Sequence, residues 1–375
     1  MIIAIPRERK TLEKRVALTP DGAAELIKDG HKVLIEKDAG AGSFFFDPAY
    51  KEVGCEIVNS LEEVWSRAEL LVKVKEPHES EYRFFREDLV LFDYLHLASM
   101  PEVTQALLKG KITSIAYELV QTKDRRLPLL EPMSEIAGKL SVINGATCLL
   151  SQHGGRGLLL GGAIGVPPAQ VLIIGAGIAG RAACEVALGM GASVTIIDVS
   201  HAALENVKYQ FGTRVRGIYS TTSSLSREVE SADLLIGAVL IPGAAAPKLV
   251  TKEMIKSMKS GAVFIDISID QGGCGETIKP TSLDEPTYEV DGVIHYGVCN
   301  MPAQTPRTST MALTAATLPY IKKMARLGFN KALAETVGEH NELRLAVNTH
   351  KGLLTNKAVS EANKIDCVSL KEALG

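Results

Sequence analysis

Short apolar runs alternate with longer amphipathic stretches over most of this chain. In the first 130 residues, Ile2–Ile5, Lys32–Ile35, Leu70–Val74, Leu89–Tyr94 and Ile112–Tyr117 read as strands. Gly22–Lys28 and Pro101–Lys109 have the apolar spacing of helices between them. A charged, proline-bearing connection (121–132) leads to a helical run from Met133 to about Leu150. The alternation then resumes. Val171–Ile174, Val194–Ile197, Val215–Tyr219, Asp233–Val239, Val263–Ile269 and Val293–Val298 read as strands, with Ala179–Met190, Ser200–Phe211 and Thr251–Met258 as helices. Strands alternating with helices imply mostly parallel sheets in an α/β fold. A long helix from about Thr308 to Met324 and at least one further helix complete the chain.

The most informative stretch is VLIIGAGIAGRAACEVALGMGASVTIID, from Val171 to Asp198. Its first strand runs into Gly175-Ala176-Gly177-Ile178-Ala179-Gly180, a complete G-x-G-x-x-G, and a second strand closes on Asp198, 18 residues after Gly180. Strand, glycine turn, helix, strand and acid all fall where a dinucleotide-binding unit needs them. Gly175 permits the tight turn, Gly177 lets backbone approach a pyrophosphate, and Gly180 lets the helix pack closely. The pyrophosphate is expected at the helix N-terminus, where free N–H groups and the positive end of the dipole face it. Asp198 is expected to bind the ribose hydroxyls and to repel a 2′-phosphate, so NAD is favoured over NADP.

The expected architecture is therefore two Rossmann-like domains with mostly parallel sheets, linked by long helices around an interdomain cleft. One is discontinuous (1–130 plus 305–375) and expected to bind substrate; the other (131–304) is expected to bind NAD. The tail should fold back on the first domain.

Composition narrows the function. The chain has 375 residues, 46% hydrophobic and 23% charged, long enough for two ordinary domains. A net charge of −3 gives no basic footprint for nucleic acid. The six cysteines show no C-x-x-C, and the apolar-then-charged start is the reverse of a signal peptide, so a cytoplasmic protein is expected. Residues 157–180 carry no charge, but Pro167, Pro168 and several glycines argue against a membrane span. None of the eight histidines has metal-ligand spacing, so no metal is expected.

Polar groups cluster where the first-domain strands end: Arg7 and Glu8, Lys75 and Glu76, His96, and Glu118. Open α/β sheets bind ligands beyond those ends. Singly, an exposed Lys or Arg is usually a solvated charge and a lone His is usually structural; their joint placement is what points to a site.

The strings RVALTP, LLVKVKEP, YLHLA, PMSEIAGKL, GGRGLLLGG, GAGIAG, IGAVLIPGAAAPKLV, IDQGG and NMPAQTPRTSTMALTAATLPY occur in order over nearly the whole chain. Together they resemble the alanine dehydrogenase family, which shares its nucleotide-binding fold with proton-translocating transhydrogenase. The resemblance implies NAD-dependent oxidative deamination of L-alanine to pyruvate and ammonia, and its reverse. In that reaction a hydride leaves the 2-carbon, water adds to the resulting imine, and the adduct collapses to pyruvate and ammonia.

It further implies that Arg15 and Lys75 hold the substrate carboxylate and 2-oxo group, that His96 is the acid/base, and that Asp270 is the second catalytic residue. Met133 and Asn300 match substrate-pocket positions. On the cofactor side it implies Ser134, Gly175, Gly177, Ile178, Ala179, Gly180, Asp198, Ser220, Val239, Leu240, Ile267, Ser268, Ile269, Asp270, Val298, Cys299, Asn300 and Met301. A homo-oligomer, usually a hexamer, is implied as well. The residue types suit this chemistry: an imidazole moves protons near neutral pH, and a carboxylate can stabilise a cationic imine. A non-catalytic NAD sensor would keep the glycine loop without the Lys75, His96 and Asp270 set.

Overall fold

The computed structural model describes residues 1–239, 246–334 and 341–374. The chain divides into two units, Met1–Met133 with Ala303–Gly375 and Ser134–Pro302. In chain order the first unit contributes β1 (Ile2–Ile5), β2 (Lys32–Glu36), β3 (Glu56–Val58), β4 (Leu70–Lys75), β5 (Val90–Tyr94) and β6 (Thr113–Ala116). The second contributes β7 (Gln170–Ile174), β8 (Ser193–Asp198), β9 (Val215–Tyr219), β10 (Leu234–Gly237), β11 (Val263–Asp266), β12 (Thr287–Val290) and β13 (Val293–Tyr296). The tail adds β14 (Val347–His350) and β15 (Leu353–Leu354) to the first unit.

The two sheets share one plan. In the first unit the strands run β3-β2-β1-β4-β5-β6, extended at one edge by β14 and β15; in the second they run β9-β8-β7-β10-β11-β13-β12. Both are the doubly wound 3-2-1-4-5-6 order, so each reverses its winding beside its first strand, β1 or β7. All pairings within that order are parallel. The edge strands β12, β14 and β15 pair antiparallel. Strands buried on both faces explain the continuous apolar runs in the sequence.

Local chemistry sets the element ends. Thr19 accepts from Gly22 N to start the helix Pro20–Lys28, which has proline at its N-terminus, Asp21 in the first turn and Lys28 in the last. The long helix Pro306–Leu327 belongs to the first unit and grips the segment beyond β1: Thr310 Oγ1 accepts from Val16 N and Thr314 Oγ1 from Thr19 N, both at 3.1 Å. The core under the first sheet packs Leu34, Leu71, Leu91 and Trp65, and one under the second packs Leu172, Leu235, Phe264 and Ile255.

Three expected strands stop two or more residues short. Val263–Ile269 ends as a strand at Asp266, because the Asp266 side chain accepts from Ser268 N and opens the 3-10 turn Ile267–Gln271. Asp233–Val239 narrows to Leu234–Gly237, and Val239 N instead donates to Ser268 Oγ. Val293–Val298 ends at Tyr296, where the Gly297 carbonyl turns to accept from Thr281 N.

Candidate active site

In the first unit, the residues predicted from sequence collect at the C-terminal ends of β1, β4 and β5. The segment after β1 crosses its neighbours and is tied to them. Arg7 N donates to Glu36, Arg9 pairs with Glu36, and Lys10 pairs with Glu76 at 2.5 Å. Arg15 lies on this segment and is buried. Its Nε and Nη2 form a fork on Glu13, at 2.7 and 2.6 Å, and Nη1 approaches Met133 Sδ at 3.2 Å. Burial opposes the charge, but Glu13 more than offsets it and holds the Arg15 guanidinium above its ordinary range.

Lys75 ends β4, with Nζ 6.0 Å from the centre of the Tyr94 ring, near the limit of a cation–π contact. Tyr94 ends β5, and its ring stacks on His96 with centroids 6.0 Å apart and an interplanar angle of 3°. Tyr94 is anchored by a hydrogen bond to the Leu129 carbonyl, and burial raises its phenol well above the usual range. His96 itself is in the left-handed region (φ 48°, ψ 38°). A non-glycine residue there is strained, and such strain concentrates at functional positions. Glu118 Oε1 takes the His96 N–H at 2.7 Å and lies 3.8 Å from Nδ1, so a protonated imidazole has a carboxylate to pair with. Arg15, Lys75, His96 and Met133 are thus brought together around Tyr94. Tyr94 was not singled out from sequence, although it lies within the YLHLA string.

In the second unit, the glycine turn leaves β7 at the switch point. Gly175 has φ +102°, and a Cβ there would meet the Ala238 carbonyl at 2.4 Å. A Cβ at Gly180 would meet the Gly175 carbonyl at 1.8 Å. Gly177 is different: nothing lies within 4 Å of its Cβ position. It precedes the helix Ile178–Gly189 with no side-chain cap, which leaves the first-turn N–H groups for a ligand. The residues therefore fit a dinucleotide pyrophosphate. Asp198 ends β8, where its carboxylate accepts from Ala176 N at 2.6 Å and Ser200 N at 2.7 Å. That holds it beside the turn.

Most of the other residues expected on the cofactor side follow the same edge. Ser220 N donates to the Asp198 carbonyl beyond β9. Val239 leaves β10, while Ile267, Ser268, Ile269 and Asp270 lie in the turn beyond β11. Asp270 accepts from Asn300 N at 3.1 and 3.3 Å, and Asn300 is left-handed (φ 59°). Val298 and Cys299 precede it against Thr281, and Met301 is buried at the start of a 3-10 turn. Ser134 is in the first turns of the helix Glu131–Cys148. Leu240 lies outside the described residues.

Sequence reasoning missed the supports of this site. Asp266 is fully buried and also accepts from Cys274 N at 2.6 Å, so one carboxylate closes both ends of the Asp270 turn. Lys73, two residues before Lys75 on β4, is fully buried between Glu8 and Glu81 at 3.4 and 3.2 Å. Only the apolar neighbours of Lys73 signalled its burial.

Doubly wound sheets with a glycine turn at one switch point and a carboxylate on the next strand define a dinucleotide-binding α/β protein. Comparison with known proteins narrows this. The N-terminal domain model described as "Alanine dehydrogenase/PNT" matches residues 4–137, and the C-terminal one matches residues 141–357. "Alanine dehydrogenase 2" of Staphylococcus aureus is 52% identical over the full length of both chains. A solved L-alanine dehydrogenase superposes with a TM-score of 0.93 at 45% identity, covering 96% of this chain and 99% of that one. A transhydrogenase from Sinorhizobium meliloti gives 0.80 at 25% identity, covering 96% and 100%. The chain belongs to the alanine dehydrogenase/PNT family.

Proposed function

We propose that this chain is an NAD-dependent alanine dehydrogenase, interconverting L-alanine and water with pyruvate and ammonia. The observation that carries this reading is the grouping of a buried arginine, a lysine and a histidine around Tyr94, in a chain whose other unit carries the glycine turn and Asp198. When bound, the nicotinamide supplies the hydride acceptor or donor. Arg15 and Lys75 hold the substrate carboxylate, and Lys75 holds the 2-oxo group as well. His96 takes a proton from the water that adds to the imine and returns it to the departing nitrogen, with Glu118 balancing the imidazolium. Asp270 favours the cationic imine, Asn300 lines the substrate site, and Met133 lies near the substrate methyl. The test is NADH formation with a panel of amino acids, run beside NADPH formation. Alanine with NAD should give the highest kcat/KM, and no turnover of alanine would overturn the reading.

The domain roles follow: substrate binding by 1–130 with 305–375, and NAD binding by 131–304. For the cofactor, Asp198→Ser should narrow the preference for NAD over NADP by about 10–100-fold, at about 1.4 kcal/mol per decade. Equal use of both cofactors by the unaltered protein would defeat the assignment.

Self-association, with a hexamer as the expected state, has its own support. In the stretch 157–168 a small turn closed by the Ala163–Val166 bridge exposes Leu159, Ile164 and Val166, and Ile164 is fully exposed. Exposed apolar side chains this close together are what a subunit interface would cover. Ile164→Asp should lower the mass measured by sedimentation; an unchanged mass would show that the turn serves something else. The cysteines are free thiols, four of them buried, which suits the reducing cytoplasm. Among the described residues no helix is long and apolar enough to cross a membrane.

A further inference from the structure

The strand that delivers Lys75 ends irregularly. β4 and β5 stay in register from Leu70 opposite Val90 to Val72 opposite Phe92, and then the pairing shifts so that Lys75 lies opposite Tyr94. β4 has one residue more than its partner across this interval, and such a bulge takes backbone amides out of the ladder. A buried side chain receives them. Glu8, three residues past the end of β1, accepts from Val74 N through Oε1 at 2.7 Å and from Lys75 N through Oε2 at 3.4 Å. Lys73 Nζ stands 3.4 Å from the same Oε2.

We propose that Glu8 is a positioning residue for Lys75: by accepting two consecutive amides at the bulge it fixes the direction in which the lysine leaves the strand, and it does so fully only as a carboxylate. The inference rests on the reading of Lys75 as the clamp on the substrate's 2-oxo group. A carboxylate presents acceptors on both oxygens. A carboxamide must turn its NH2 toward one of the two amides, and two donors cannot pair; a carboxylic acid leaves one of them only a hydroxyl oxygen, a weaker acceptor than a carboxylate.

The charged and titratable groups facing Glu8 come from every side. Glu13 and Arg15 are on its own segment, Lys73 on β4, Glu81 in the turn Glu79–Phe84, Asp93 on β5, and Tyr117 just past β6. Burial dominates, and with Glu13 and Glu81 it outweighs the Lys73 ammonium and the Val74 amide, pushing the Glu8 carboxyl up to about 7. Glu8 therefore changes charge in the neutral range. Above that range the carboxylate holds both amides; below it, the acid holds the Lys75 amide more weakly.

The test compares kcat and KM for pyruvate in the unaltered enzyme, Glu8→Gln and Glu8→Asp, from about pH 6 to about pH 9. Titration of pyruvate's co-substrate ammonium is common to all three and cancels in ratios. At the alkaline end, Glu8→Gln should raise KM for pyruvate about tenfold, the effect of roughly one hydrogen bond. Its kcat should change far less, and NADH affinity should be unchanged. Toward the acidic end the two enzymes should converge, because the unaltered protein then carries a neutral Glu8 as well. A KM ratio that is constant with pH, or equal to one throughout, overturns the proposal.

If Glu8→Gln does not fold, Glu8→Asp decides. It keeps the charge but shortens the reach, so it should show a raised KM at the alkaline end that merges with the unaltered enzyme's on acidification; an unaltered KM overturns the proposal. Lys75→Ala separates the two layers. Near-normal turnover in Lys75→Ala would remove the clamp reading and Glu8's role with it. A crippled Lys75→Ala beside a flat Glu8→Gln ratio would remove only the role of Glu8.

Discussion

His96→Ala is expected to lower the rate of alanine oxidation by about 10²–10⁴-fold, the usual contribution of a positioned acid/base group. NADH binding should hardly change, since the glycine turn and Asp198 belong to the other unit. In the oxidative direction His96 must be neutral to accept a proton from the attacking water. The kcat/KM for alanine should therefore rise with pH, and the part of that rise due to the enzyme should vanish in His96→Ala while the part due to the substrate's ammonium remains. Asp270→Asn serves as the partner test. It keeps shape and an acceptor for Asn300 N but removes the charge, and if charge on the imine matters it should be nearly as damaging as Asp270→Ala. Near-normal oxidation by both His96→Ala and Asp270→Asn would show that the catalytic roles are misassigned.

Much of this was legible in the sequence because parallel strands buried on both faces leave unbroken apolar runs, and the runs at Val171 and Val194 bracket the glycine turn. What the apolar pattern missed has a physical reason in each case. β14 (Val347–His350) reads V-N-T-H, yet it is buried: Thr349 bonds Ser114 Oγ at 2.8 Å and His350 Nδ1 bonds Thr113 Oγ1 at 2.9 Å. A strand joined to its neighbour by polar side chains carries no hydrophobic signature. β3 spans only three residues, and the antiparallel edge strand β12 is mostly exposed. For the site, strand-end placement pointed to Lys75, His96 and Glu118. The left-handed backbone of His96 and Asn300 had no signal, because neither residue type demands it. The buried charges at Glu8, Lys73, Glu81 and Asp93 were equally hidden, since sequence alone treats a lysine or carboxylate as solvated until its partners are placed around it.

Lys75→Ala and Arg15→Ala should each cost roughly 2–5 kcal/mol of transition-state binding, as the loss of one partner of a desolvated ion pair commonly does. At about 1.4 kcal/mol per decade, kcat/KM for pyruvate falls by about 30-fold to several thousand-fold. The two variants should nevertheless differ in a way the structure makes specific. Lys75 is half-buried at a strand end, so its removal should leave thermal stability nearly unchanged. Arg15 is 2% exposed, and its fork satisfies both oxygens of the buried Glu13. Taking away the guanidinium strips a buried carboxylate of its principal counter-charge, a change that costs about 3–5 kcal/mol of folding stability. Arg15→Ala should therefore lose activity and several degrees of Tm together, and Glu13→Gln in the Arg15→Ala background should return much of the Tm without returning activity. NADH affinity, measured by fluorescence titration, should survive in all three. Loss of NADH binding in both single variants would place these cations in the dinucleotide's chemistry instead of the substrate's. Recovery of activity along with Tm in the double variant would show that Arg15 supports the fold and does not hold the carboxylate.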